Sequence, residues 1–135
     1  MEFISWVEEY SVNVREIDHQ HKKLLEIINK LHDGILAVNY DFTLTEVLDE
    51  LVNYTVYHFG FEENLLVRSG YQKVTKHFSM HSEFIDKLKD YLRKHQSGEI
   101  SITEDLMSFL KDWLVNHIMH TDKEYSSFLN SKGIT

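Results

Sequence analysis

The chain has 135 residues, 42% hydrophobic and 27% charged, enough for one domain with a substantial core. It has no cysteine, which excludes disulfides, iron–sulfur clusters and thiolate zinc sites; with no proline and only five glycines it is a poor candidate for a many-turned β sandwich. Fourteen basic residues against 22 acidic ones leave a net charge of −8, a field that repels nucleic-acid phosphates and anionic membranes.

Residues 1–16 contain Trp6, Tyr10, Val12 and Val14 without a sustained period, so they are expected to form an arm laid over the rest. The acidic start, with Glu2, Glu8 and Glu9, does not resemble a signal peptide, and no apolar run is long enough to span a bilayer, so a cytoplasmic protein is expected. Asp18 is the expected N-cap of a first helix near 18–38, whose buried side carries His21, Leu24, Leu25, Ile28, Leu31 and Ile35. Asn39 to Phe42 interrupts the pattern, and Thr43 with Glu46 reads as a capping box for a second helix near 43–68. Its stripe includes Val47, Leu48, Leu51, His58, Glu62 and Leu65, and Ser69-Gly70 ends it. A third helix near 72–96 carries Val74, His77, His81, Phe84 and Leu88. A fourth near 103–120, capped by Thr103, carries Leu106, Leu110, Leu114, His117 and Ile118, and a short piece follows over 122–130. The expected fold is all-α: one domain over 1–135, an antiparallel up-down-up-down four-helix bundle with an N-terminal arm and a short C-terminal helical piece.

Polar residues on these apolar stripes carry the chemical signal, because burying one without a partner costs free energy. They are His21, His58, Glu62, His77, His81, His117 and Asp122. His58 and Glu62 are four apart, as are His77 and His81, which on a helix leaves each pair about 40° apart around the axis and about 6 Å along it. Each pair can reach one point. His117 and Asp122 are five apart and would diverge by about 140° on an unbroken α-helix. A shared site therefore requires the helix to loosen or end between them, expected at His120-Thr121. Five imidazoles and two carboxylates are too many ligands for one tetrahedral zinc but suit two metals sharing the carboxylates, with iron, manganese or zinc all compatible.

Trp6, Tyr10-Ser11-Val12, Ile17-Asp18-His19-Gln20-His21-Lys22, Tyr54-Thr55, His58-Phe59, Glu62-Glu63, Gly70-Tyr71, His77, His81, Trp113-Leu114-Val115-Asn116-His117-Ile118 and Asp122 together resemble the hemerythrin family in its bacterial form. The resemblance runs from residue 6 to residue 130, departing at Gln72, where many relatives carry proline. It implies two iron ions with a bridging oxo or hydroxo group: His77, His81 and His117 on one iron, His21 and His58 on the other, Glu62 and Asp122 bridging. It also implies a vacancy on the second iron for dioxygen, roofed by an apolar pocket of Leu24, Phe59, Phe84, Trp113, Leu114 and Ile118. The implied function is reversible dioxygen binding for carriage, storage or sensing, a binding protein rather than an enzyme. An oxygen-using enzyme or a signalling protein would be its partner.

A di-iron redox enzyme or sensor acting on dioxygen, peroxide or nitric oxide is the alternative. Ferritin-like oxidases want Glu-x-x-His motifs, and zinc hydrolases want His-Glu-x-x-His; neither occurs here. A plain interaction bundle leaves the seven polar core positions unexplained. His19, His32, His95 and His120 are expected on solvated faces, and Glu63 as a surface charge or a partner to a ligand. Gly60 inside the second helix costs about 1 kcal/mol against alanine; close approach of a neighbour is one reading of it.

Overall fold

The structure, a computed structural model, describes residues 3–35, 40–98 and 103–135, with the side chains of 40–44, 103 and 104 outside that description. Four long helices form the bundle: α1 (Arg15–Ile35), α2 (Tyr40–Ser69), α3 (Val74–Gln96) and α4 (Thr103–Asn116), followed by a short α5 (Ser126–Ser131). α2 packs against α1 and α3, and α1 also meets α4. Phe84 stacks on Trp113 at 4.1 Å and Tyr91 lies 5.7 Å from Phe109, which closes the ring between α3 and α4. The centre is filled by Ile28, Leu31, Leu48, Leu51, Leu88, Leu106 and Leu110, all essentially inaccessible to water. No helix among the described residues is long and apolar enough to cross a membrane.

α1 begins at Arg15, three residues before the expected start, and Asp18 is not its N-cap. Asp18 lies inside the first turn, its own N–H bonded to the Val14 carbonyl. Its carboxylate instead accepts from the Val12 N–H at 2.8 Å and the Ser11 hydroxyl at 2.5 Å, pulling the arm onto the helix start. The arm has no period because side chains, rather than a helical stripe, hold it. Asn29 pairs with both the N–H and the carbonyl of Ile4, Ser126 donates to the Val12 carbonyl, and Asn130 donates to the Asn13 carbonyl. A 3-10 turn over Glu8–Tyr10 lies within this arm.

α2 starts at Tyr40, so Tyr40 to Phe42 belong to the helix rather than interrupting the pattern. Thr43 therefore lies inside α2 and does not cap its start, while the side chain of Thr103 and the expected end of the first helix at Val38 lie outside the described part of the structure. α2 stops because Gly70 adopts φ +80°. Its N–H bonds to the Val67 carbonyl and the Tyr71 N–H to the Leu66 carbonyl, the paired bonds of a left-handed helix terminus. Tyr71 and Leu66, the two positions whose apolar contact commonly accompanies such a stop, are both buried.

Gly60 is exposed, and a Cβ built there would meet nothing within 4 Å, so no neighbour within the chain approaches it closely. Replacing it by alanine relieves only the backbone-entropy cost. Gly60→Ala is expected to stabilise the chain by about 1 kcal/mol, read as a rise of roughly 3–5 °C in the thermal midpoint. A lowered midpoint would show that the glycine serves the folded chain itself.

Candidate metal centre

The end of α4 sets the geometry of the site. From His117 to Thr121 the helix widens into a π turn, then tightens into a 3-10 turn over Asp122–Tyr125. The Asp122 N–H bonds to the His117 carbonyl, closing a loop over five residues rather than four. That extra residue brings i and i+5 onto one face, and His117 Nε2 lies 3.0 Å from Asp122 Oδ1. The loosening spans His117–Thr121 and is thus wider than the break expected at His120-Thr121.

All seven polar stripe residues are buried, and the structure brings them to one place between the four helices. His77, His81 and His117 gather around one oxygen of each carboxylate. His77 Nε2 and His117 Nε2 lie 3.1 and 3.0 Å from Asp122 Oδ1, and His81 Nε2 lies 3.2 Å from Glu62 Oε1. The other oxygens face α1 and α2: His58 Nε2 is 3.4 Å from Glu62 Oε2, and His21 Nε2 is 3.3 Å from Asp122 Oδ2. Both carboxylates therefore span two groups of imidazoles, three on one side and two on the other.

This arrangement fits a pair of metal ions. Donors about 2.1 Å from one ion and at right angles to each other sit about 3 Å apart, which is the spacing found between neighbouring ligand atoms here. His81 Nε2 and His117 Nε2, 3.1 Å apart, aim at a common point. Glu62 Oε1, Asp122 Oδ2 and His21 Nε2 are buried without a hydrogen-bond partner. Orphaned polar atoms of this kind are expensive in a protein interior, and two cations would satisfy them together.

Surrounding residues orient the rings of these candidate ligands. His81 Nδ1 lies 2.7 Å from Glu63 Oε2, so donation from Nδ1–H leaves the Nε2 lone pair facing inward. His58 Nδ1 bonds in the same way to Gln20 Oε1 at 2.7 Å, and Gln20 Nε2 donates to Glu16 at 3.0 Å. The buried Tyr125 hydroxyl donates to Glu62 Oε2 at 3.0 Å. Glu63 thus takes the partner role among its two expected ones. Sequence reasoning missed Gln20 and Tyr125. Gln20 carried a usable signal, three residues after Ile17 and four before Leu24 on a core stripe. Tyr125 carried none, since the aromatic ring fits a core position whatever its hydroxyl does.

Charge is balanced locally. Burial alone would raise Glu62, yet the His21, His58 and His81 rings hold it well below the usual carboxylate range. Burial and the charge of Glu62 likewise push Asp122 up, and His117 and His21 outweigh them. Burial opposes protonation of His21, but Asp122 and Glu62 hold its pKa up at about 9. His81 also reaches about 9, burial being outweighed by Glu62 and Glu63. His58 goes the other way, lowered by burial. Burial and the carboxylates raise the Tyr125 phenol well above 10, which keeps it a donor.

With His21 and His81 raised from 6.5 to about 9, the metal-free protein gains stability that is complete below pH 6.5 and lost as the pH rises through about 9. Metal ligation needs both rings neutral, so loading at pH 7.5 is expected to release about two protons per chain, falling toward none by about pH 10. A pH-indicator titration of the metal-free protein with ferrous ion measures this. Equal release at both pH values would contradict it.

The expected pocket residues Leu24, Phe59, Phe84, Leu114 and Ile118 are buried and Trp113 is half-buried. The aromatic three lie against the three-histidine side. Phe59 stacks on His81 at 3.6 Å, Trp113 on His117 at 4.4 Å and Phe84 on Trp113 at 4.1 Å. Among the other histidines, His19 and His120 are exposed as expected. His95 is instead buried, with Nε2 3.0 Å from Thr45 Oγ1, and half-buried His32 stacks under Phe3 at 4.7 Å. The sequence spacing could not place either ring, because one sits at the far end of the bundle and the other is covered by the arm.

Comparison with known proteins agrees with this geometry. A family profile, the hemerythrin HHE cation binding domain, matches residues 12–129. A protein named bacteriohemerythrin from Pseudomonas aeruginosa (strain LESB58) is 37% identical over 125 residues, spanning 93% of this chain and 80% of the relative. Another of that name, from Methylococcus capsulatus, is 34% identical over 132 residues, 97% of this chain and all of the relative. The crystal structure of a wild-type hemerythrin superposes with a TM-score of 0.88 at 34% identity, covering 94% of this chain and 98% of that one.

Proposed function

This chain belongs to the hemerythrin family, and on that premise we propose that it holds two iron ions with a bridging oxo or hydroxo group and binds dioxygen reversibly there. The observation that carries the proposal is the span of the two carboxylates. Glu62 and Asp122 each face the three-histidine group with one oxygen and the two-histidine group with the other. Two ferrous ions in that cradle would supply the two electrons and the open coordination position that reversible oxygenation needs.

The residues of the chain do the rest. His77, His81 and His117 would hold one ion, His21 and His58 the other, so the second has one protein ligand fewer. Five neutral imidazoles leave the pair of carboxylates as the protein's whole charge contribution, a net of −2 against the cations. Tyr125 holds Glu62 by its Oε2, while Glu63 and Gln20 fix the rings of His81 and His58. Leu24 follows His21 by three residues on α1, and Leu114 precedes His117 by three on α4, so each shares a helix face with a ligand. With Ile118 they complete the proposed apolar roof, and Phe59, Phe84 and Trp113 seal the three-histidine side. Such a lining keeps out water and protons, which favours release of oxygen over irreversible oxidation. Five imidazoles to two carboxylates support binding over ferritin-like oxidase chemistry. The test is gas uptake by the iron-loaded ferrous protein: one dioxygen per two irons, recovered under argon. Uptake without recovery would favour a redox enzyme or sensor.

A further inference from the structure

The two groups of imidazoles are not backed alike. Behind His81 stands a carboxylate, Glu63, which only accepts and so admits one arrangement, with the ring proton on Nδ1. Behind His58 stands an amide, Gln20, with an acceptor at one end and a donor at the other. Its Oε1 faces His58 Nδ1 at 2.7 Å, and its Nε2 donates to Glu16 Oε1 at 3.0 Å. Gln20 is 1% exposed, whereas Glu16, one turn earlier on α1, reaches solvent.

The sense of this amide decides whether His58 can serve as a ligand. A neutral imidazole carries one proton, and two acceptors compete for it: Gln20 Oε1 at Nδ1, and Glu62 Oε2 at 3.4 Å from Nε2. With the proton on Nδ1, the Nε2 lone pair faces the carboxylates and is free for a metal ion. With the amide turned over, its NH2 would face Nδ1, which would then have to accept. The ring proton would move to Nε2 and point at Glu62, and no lone pair would be left for an ion. Glu16 forbids that state, because the turned Oε1 would lie against a carboxylate oxygen and neither atom could donate.

We propose that Glu16 is a positioning residue for the metal centre: by holding the Gln20 amide in one sense, it fixes the His58 tautomer and with it the affinity of the two-histidine side for its ion. This rests on the two-ion reading above and adds a surface residue that governs one of the two ions. The three-histidine side, tied to Glu63, does not depend on the relay. The two-histidine side draws on α1 twice, through His21 as a ligand and through Gln20 beside it. Without His58 it would keep His21 and the shared carboxylates alone.

Titration of the full chain with ferrous ion under argon, against a calibrated chelator, separates the two ions. The unaltered chain is expected to bind two. Glu16→Lys puts a donor where the acceptor stood, which turns the amide, and is expected to weaken one ion about 10–100-fold while sparing the other. Adding Gln20→Glu is expected to restore that ion, since a carboxylate accepts from Nδ1 whichever way it faces. Glu26→Lys makes the same charge change on another exposed acid of α1 and is expected to leave both ions unchanged. Long-range proton–nitrogen NMR of the metal-free chain near neutral pH reads the tautomer directly. The His58 proton is expected on Nδ1 in the unaltered chain and on Nε2 in Glu16→Lys. Unchanged affinities in Glu16→Lys, an equal loss in Glu26→Lys, no rescue by Gln20→Glu, or an unaltered His58 protonated on Nε2 each overturns the role of Glu16 and leaves the two-ion centre standing. An unaltered chain that takes fewer than two ions overturns the two-ion reading, and the role of Glu16 with it.

Discussion

Glu62→Gln is expected to abolish the binuclear centre while leaving the bundle folded. The side chain keeps its shape and one acceptor oxygen, so Tyr125 can still donate to it, but it no longer offers two anionic oxygens. Those oxygens are what His81 and His58 face from opposite sides, at 3.2 and 3.4 Å. Asp122 alone would then join the two groups of imidazoles. Iron per chain is expected to fall from two to one or fewer, with the far-ultraviolet circular dichroism unchanged. Glu62→Ala is the harsher variant, since it leaves the buried Tyr125 hydroxyl and the raised His21 and His81 without their acceptor. It is expected to cost about 3–5 kcal/mol of metal-free stability as well as the iron. Retention of two irons by Glu62→Gln would mean that this carboxylate is not a bridge.

The second large effect is expected one position along. Glu63 is not among the ligand atoms, yet its 2.7 Å contact with His81 Nδ1 decides which ring nitrogen carries the proton. With Nδ1–H donating outward, Nε2 presents a lone pair to the site, made more basic by the carboxylate behind it. Removing such a partner typically weakens metal affinity about 10–100-fold. Glu63→Leu is therefore expected to fall in that range and Glu63→Gln, which keeps an acceptor but not the charge, well short of it. Competition with a calibrated ferrous chelator measures both. Unchanged affinity in Glu63→Leu would show that His81 is oriented by its stack on Phe59 alone.

The bundle and the buried cluster of candidate ligands were legible because they obey one rule, helical periodicity. His58 with Glu62 and His77 with His81 announce themselves as polar residues at core spacing, and their meeting needs nothing beyond an ordinary α-helix. His117 and Asp122 violate the period, and that violation was itself informative: it demanded a loosened helix, found as the π turn over His117–Thr121. Tertiary hydrogen bonds account for what could not be read. Asp18 has the residue type of a cap but spends its carboxylate on the arm at Ser11 and Val12. His95 has the polarity of a surface residue but is buried beside Thr45, 50 positions away. Tyr125 acquires its role from a hydroxyl contact with Glu62 across 63 residues of sequence. Such contacts between distant segments leave no local pattern. The placement of the aromatic residues is a similar case, since spacing brings Phe59, Phe84 and Trp113 to the core but not to one side of it.

An optical spectrum of the anaerobic, ferrous-loaded chain, recorded before oxygen, after oxygen and after its removal, tests the central claim most directly. The account predicts a visible charge-transfer band that appears with oxygen and disappears when oxygen is withdrawn, repeatedly, with two irons per chain throughout. A band that appears and stays, or an iron-loaded chain that never gains one, would contradict reversible dioxygen binding at this centre.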